Sequence, residues 1–198
     1  GFPKRAGAED FYMLNKLAKI GPISRLSGQC IQLQSRHSSR VPFGTGPAVA
    51  AIIATGRPED AQIFDHPRCF EALAALLLSL PELAQAPDAA LSQLFVKRGL
   101  DATVAKQANN ALQTLGIQSG LSHCQRQSRS SPQFQRQFHQ WFDAFRTLKF
   151  IHLMRDAGWE QQSLTQLDAV KPNLWPAITQ PPQTIAPLQG AISRLDYD

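Results

Sequence analysis

The run Pro67-Arg68-Cys69-Phe70-Glu71-Ala72-Leu73-Ala74-Ala75-Leu76-Leu77-Leu78-Ser79-Leu80 decides the class of the fold. Proline suits the first helical turn, where its missing N–H would have no partner anyway. Asp65 or His66 supplies a cap ahead of it, and Pro81 is expected to close the helix behind Leu80. Apolar residues run nearly all the way round, so this is expected to be the most buried helix of a helical assembly. Working outward, the same reading repeats. Asp88 to Lys97 reads as a helix ending at Gly99, and Asp101 caps another that ends at Gly116. Ser131-Pro132 opens the longest helix, expected to run to Asp156 before Gly158. Its Phe134, Phe138, Trp141, Phe142, Phe145, Leu148 and Met154 follow helical spacing, the pattern of a core face. Ser163 to Val170 adds a short helix. Between these, Ser122 to Ser131 is polar and basic and reads as a loop. From Lys171 the Pro- and Gln-rich tail reads as extended chain outside regular structure.

The beginning of the chain is different. Residues 8 to 20 form a well-delimited helix: Glu9 and Asp10 stand in the first turn, Phe11, Leu14, Leu17 and Ala18 share one face, and Gly21-Pro22 stops it. Gln29 to Gln34 alternates apolar and polar residues, the mark of a half-buried strand. Ser35 to Gly46, SRHSSRVPFGTG, is basic, hydroxyl-rich and then Gly-rich, and reads as a loop. One convincing strand needs a partner, and the chain opens on Gly1 with neither Met nor an apolar leader. Both features suggest a piece excised from a longer protein. Three regions follow: 1–46, with the first helix, the strand and the basic Gly loop; 47–170, helical; and 171–198, the tail.

Composition excludes several classes. At 198 residues, 43% hydrophobic and 18% charged, the chain is long enough to bury a core and is not a disordered polymer. Its three cysteines, Cys30, Cys69 and Cys124, lie far apart without a CxxC pair, so neither a disulfide framework nor a zinc site is indicated. They read as small core or surface residues. The longest apolar run, Leu73 to Leu80, is too short to span a bilayer. The net charge of +5 and pI near 9.4 suit a phosphate-bearing partner without choosing one.

The most informative segment is Ala6-Gly7-Ala8-Glu9-Asp10-Phe11-Tyr12-Met13-Leu14-Asn15-Lys16-Leu17. It sets two adjacent carboxylates at a helix N-terminus, where the backbone dipole favours the ionised form. The simpler alternative is that Glu9 and Asp10 only cap the helix. This segment resembles the acidic ED motif of family 2-type glycosyltransferases, and its Phe-Tyr variant resembles a bacterial branch of family 2-like enzymes. Arg40-Val41-Pro42-Phe43-Gly44-Thr45-Gly46 resembles a second signature of that branch, in the same order. Together the two motifs cover about the first quarter of the chain.

The resemblance implies a mainly α fold: the helical C-terminal region, with one or two strands near its start, of a GT-A-type α/β glycosyltransferase. It implies Asp10 as the general base on an acceptor hydroxyl, with Glu9 as a positioning group, in an inverting transfer from a nucleotide-sugar donor. It also implies a divalent metal, Mg or Mn, in the full-length enzyme only, held by an acidic cluster upstream and not by this piece. On that expectation the piece alone is inactive, and the enzyme works in the cytoplasm or peripherally at the membrane. The arginine-tryptophan signature of processive members is absent, so polymer synthesis is not implied.

Read from the residues themselves, Arg36, His37 and Arg40 place donors just before Gly44-Thr45-Gly46, whose glycines let backbone approach an anion. The other view of this segment is a solvated basic loop. A rival for the whole chain is a helical nucleic-acid-binding module using Arg36, Arg40, Arg126, Arg129 and Arg136, the less favoured partner; a third is a helical domain that docks on another protein. His66, His123, His139 and His152 show no metal-ligand spacing.

Overall fold

A computed structural model of the chain describes residues 8–24 and 44–170. In order these form α1 (Glu9–Leu17), α2 (Thr45–Ala54), a short 3-10 turn (Pro58–Asp60), α3 (Pro67–Leu78), α4 (Leu80–Gln85), α5 (Leu91–Lys97), α6 (Ala102–Thr114), α7 (Ile117–Arg126), α8 (Ser131–Trp141), α9 (Ala144–Asp156) and α10 (Leu164–Val170). The protein is mainly helical, as its sequence indicates. Among the described residues there is no strand. The one β contact is an isolated antiparallel bridge in which Phe64 and Gln162 exchange backbone hydrogen bonds of 3.1 and 2.7 Å. The expected strand Gln29–Gln34, with Arg36, His37 and Arg40, lies outside the described residues, as does the tail from Lys171.

Local signals place several helix starts. Asp101 accepts from the backbone N–H groups of Thr103 and Val104, Ser130 from that of Gln133, and His66 Nδ1 from that of Arg68, so each side chain satisfies an orphan donor of its first turn. The core gathers one face from each helix of the 67–156 region. Phe95, Phe134, Phe138 and Phe150 are fully buried with Leu76, Leu83, Leu112, Ile117, Leu121 and Met154. Helix α6 packs against α5, α9, α3 and α7, while α8 packs against α4 and α7.

Several expectations are corrected. Pro81 does not end regular structure. The helix breaks at Ser79, because Pro81 has no N–H to return to Leu77, and a new helix starts with Pro81 in its first turn. Nor is α3 buried all round: Phe70 is 52% and Leu78 60% exposed, and only Cys69, Ala72, Ala75 and Leu76 face fully inward. Asp88 does not begin α5, which starts at Leu91; its carboxylate instead accepts from the Gln118 amide at 2.7 Å. Ser122 to Arg126 is not loop but the second half of α7, whose Ile117, Gly120, Leu121 and Cys124 form a buried stripe beneath a polar outer face. The expected long helix from Ser131 to Asp156 is two helices, interrupted at Phe142 and Asp143. Finally, Thr45 and Gly46 belong to helix α2 and not to the preceding loop. Gly44 starts it at φ 94, ψ −156, a conformation open to glycine.

Candidate functional site

Helix α1 begins from Ala8, whose φ of 61 is the single positive value of a non-glycine among the described residues. That left-handed turn brings Glu9 and Asp10 out at the helix N-terminus, both exposed. Asp10 Oδ1 accepts from the Phe11 backbone N–H at 2.8 Å. Both carboxylates are thus open to solvent and to any ligand approaching the start of α1. No hydrogen bond or ion pair joins Glu9 or Asp10 to Gly44 or Gly46. Gly44 stands in open space, while Gly46 is buried in the first turn of α2. Arg40 of the second motif, with Arg36 and His37 ahead of it, lies outside the described residues.

The end of α1 and the turn after it carry interactions that the sequence reading missed. Asn15 and Lys19, one helical turn apart, reach across to the interruption between α8 and α9. Asn15 Oδ1 accepts from the Ala144 backbone N–H at 3.1 Å, and its amide donates to Asp143 Oδ2 at 3.2 Å. Lys19 Nζ pairs with the same Oδ2 at 2.5 Å. Asp143 Oδ1 meanwhile caps α9 by accepting from the Arg146 backbone N–H at 3.1 Å. Burial alone would raise the Asp143 pKa. The hydrogen bonds from Lys19, Arg146 and Asn15, with the Lys19 charge, outweigh burial and hold it below its ordinary value. The rings of Tyr12 and Phe145 meet at 5.9 Å beside this clamp, with the Lys149 ammonium 4.7 Å from the Phe145 centroid. One signal for Asp143 was available: an Asp before Ala-Phe-Arg is a helix-cap pattern, hidden inside a longer aromatic repeat.

Between α1 and the α8–α9 joint lies a groove of about 510 Å³. Its walls are Phe11, Leu14, Ala18, Ile20 and Ile23 on one side and Phe142 on the other. Arg136, His139, Gln140, Lys19, Asp143 and Thr147 supply its polar groups. Asp10 directly precedes Phe11, so the exposed carboxylate stands beside a groove-lining residue.

The other candidates have structural explanations or none. His66 caps α3 and packs edge-on to Trp159 at 4.9 Å, and burial, then the Arg68 charge, lowers its pKa. Cys69 and Cys124 are free and buried; burial, then the nearby Asp65 charge, pushes Cys69 up to about 11, so it is a core thiol. Arg126, Arg129 and Arg136 are exposed on α7, the following turn and α8. Among the described residues no three His, Cys, Asp or Glu side chains are grouped to hold a metal ion, and no helix is long and apolar enough to cross a membrane. Compared with family models, with curated proteins and with solved structures, the chain matches none.

Proposed function

We propose that this chain is the acceptor-side, C-terminal portion of an inverting glycosyltransferase that moves a sugar from a nucleotide-sugar donor to an acceptor hydroxyl. The observation that carries this is the setting of the acidic pair. Glu9 and Asp10 are solvent-open at the start of a helix whose next turns line a groove, and the pair belongs to a motif that resembles the ED motif of family 2-type enzymes. The second motif supports the same reading only in part: Gly44 leads into a helix start with no side-chain cap, but Gly46 is buried and Pro47 has no N–H to offer an anion.

In the proposed step, an Asp10 carboxylate oxygen takes the acceptor O–H proton as the acceptor oxygen attacks the anomeric carbon. The new C–O bond forms on the face opposite the leaving group. The bond from the anomeric carbon to the donor's phosphate oxygen breaks, and the nucleotide diphosphate departs with the electron pair. Glu9 positions the acceptor through its neighbouring carboxylate. Arg36, His37 and Arg40 are proposed to stabilise the departing charge, as guanidinium forks suit phosphate oxygens. The described residues do not fit the divalent metal that the resemblance implies, because no ligand cluster is present among them. The donor-binding half lies elsewhere in such an enzyme, so this piece alone is inactive, and a nucleotide-sugar donor implies work in the cytoplasm or at its membrane face.

The test is transfer from nucleotide sugars by the full-length protein. A general base contributes about 10²- to 10⁴-fold, so Asp10→Asn is expected to lower kcat by at least about a hundredfold while donor binding persists. Undiminished turnover in that variant overturns the assignment.

A further inference from the structure

The groove beside α1 has the volume of a small-molecule site, and its lining is divided by chemistry. One wall is apolar and unusually open: Ile20 is 85% and Ile23 54% exposed, and Leu14 is exposed as well. Helix α1 buries no residue fully, and Ile20 and Ile23 follow it in the turn and chain beyond Leu17, so this apolar wall is not part of the core cluster. The opposite rim, on α8, carries Arg136, His139 and Gln140. Arg136 and Gln140 form no hydrogen bond or ion pair with other described residues, and all three side chains are exposed. Within the groove Lys19 and Asp143 neutralise each other. Of the charged side chains that line the groove, Arg136 is therefore the one without an ion-pair partner among the described residues, with His139 one turn along the same helix and the Asp10 carboxylate beyond Phe11 at the other wall.

We propose that this groove binds the acceptor, and that the acceptor is an amphipathic anion: an apolar chain or ring carrying one acidic group such as a phosphate. The apolar body lies along Phe11, Leu14 and Ile23, where its burial removes exposed hydrocarbon from water. The acidic group meets Arg136, whose fork accommodates two oxygens at once, and His139 adds a further donor. The word acceptor rests on the glycosyltransferase reading, but the binding chemistry does not, because it follows from the lining alone. Lys19 and Asp143 also line the groove as an ion pair, and Asn15 donates to the same Asp143 oxygen.

Octyl phosphate, used below its micelle-forming concentration, is the probe, titrated into the 198-residue chain and followed by NMR and calorimetry. Saturable binding is expected, with shifts concentrated on Phe11, Leu14, Arg136 and His139. Octanol and inorganic phosphate, each lacking half of the ligand, are expected to bind at least about tenfold more weakly. Arg136→Gln is expected to weaken octyl phosphate binding by roughly tenfold, the loss of one charge-assisted contact, and Leu14→Gln to weaken it through the other wall. Both residues are exposed, so circular dichroism should show unchanged folding; Lys97→Gln, away from the groove, should bind as the parent does. Equal binding of octanol, unchanged binding by Arg136→Gln, or shifts outside the groove would each overturn the proposal. So would retention on phosphatidylglycerol vesicles without saturable octyl phosphate binding, which assigns a membrane surface and not a single molecule. Binding without sugar transfer by the full-length protein leaves the groove standing and removes the enzyme; transfer without binding does the reverse.

Discussion

Asp143 serves three partners with one carboxylate: the Arg146 backbone N–H, the Asn15 amide and the Lys19 ammonium. Each favours the ionised form, and their sum exceeds the cost of burial, so the folded pKa lies below that of the unfolded chain. The stabilisation is therefore complete above the unfolded value, about 3.9, and is lost as pH falls through the folded one. Acidification is expected to loosen α1 from the α8–α9 joint before the core unfolds. The Asn15 side-chain amide resonance should report that transition, and Asp143→Asn should abolish its pH dependence. Gly120 makes a second residue-scale case. A Cβ built there would lie 2.4 Å from the Trp141 ring, far inside contact distance. Gly120→Ala is expected to cost about 1–3 kcal/mol by overpacking, read from the urea midpoint. Its conformation is ordinary helix, so the cost comes from the neighbour and not from the backbone.

At the scale of elements, the starts of α3, α6 and α8 were legible because capping is a local interaction that sequence displays directly. Pro67, Asp101 and Ser131-Pro132 behave in this way. Asp88 carried the same signal but turned its carboxylate to Gln118 instead. The break at Phe142 was not legible, since aromatic residues keep helical spacing on both sides and the interruption shows only in the backbone, where Phe142 (ψ 70) and the extended Asp143 leave the helical region. Helix α7 was missed for the opposite reason. Its outer face of Gln118, Ser122, His123, Gln125 and Arg126 reads as loop, and its inner stripe contains Gly and Cys, weak hydrophobic markers. Helix α3 supplies an element-scale prediction. His66 caps it through an unprotonated Nδ1, and burial with the Arg68 charge lowers its pKa from 6.5. A histidine held neutral in the folded state contributes fully above the unfolded pKa, and stability declines as pH falls below it. His66→Asn keeps a good cap without the titration, so thermal unfolding of the parent should become less stable from pH 7 to 5 while the variant loses less over that range.

Among the described residues the buried core cluster spans α3 to α9, and α1 is attached to it by a polar clamp and a ring contact. Phe138 lies at the centre of the packed aromatic residues, stacked on Phe142 at 5.6 Å and fully buried. Phe138→Ala is expected to cost about 3–5 kcal/mol, seen as a lower midpoint of the main transition. Native-state hydrogen exchange should protect the amides of α6 and α9 to near the global stability and release those of α1 earlier, because α1 has no fully buried side chain. Uniform protection across α1 and α6 would contradict this division. By itself the sequence determined the helical class, the starts of α1, α3, α6 and α8 and the acidic pair at the head of α1, since these depend on neighbours within a few residues. Only the tertiary structure decided where the long helix breaks and that Asn15 and Lys19 find Asp143 more than a hundred residues away. It also decided that an apolar wall and an arginine face each other across a groove. Those features join residues distant along the chain, and no local pattern of spacing or charge encodes which distant partner will arrive.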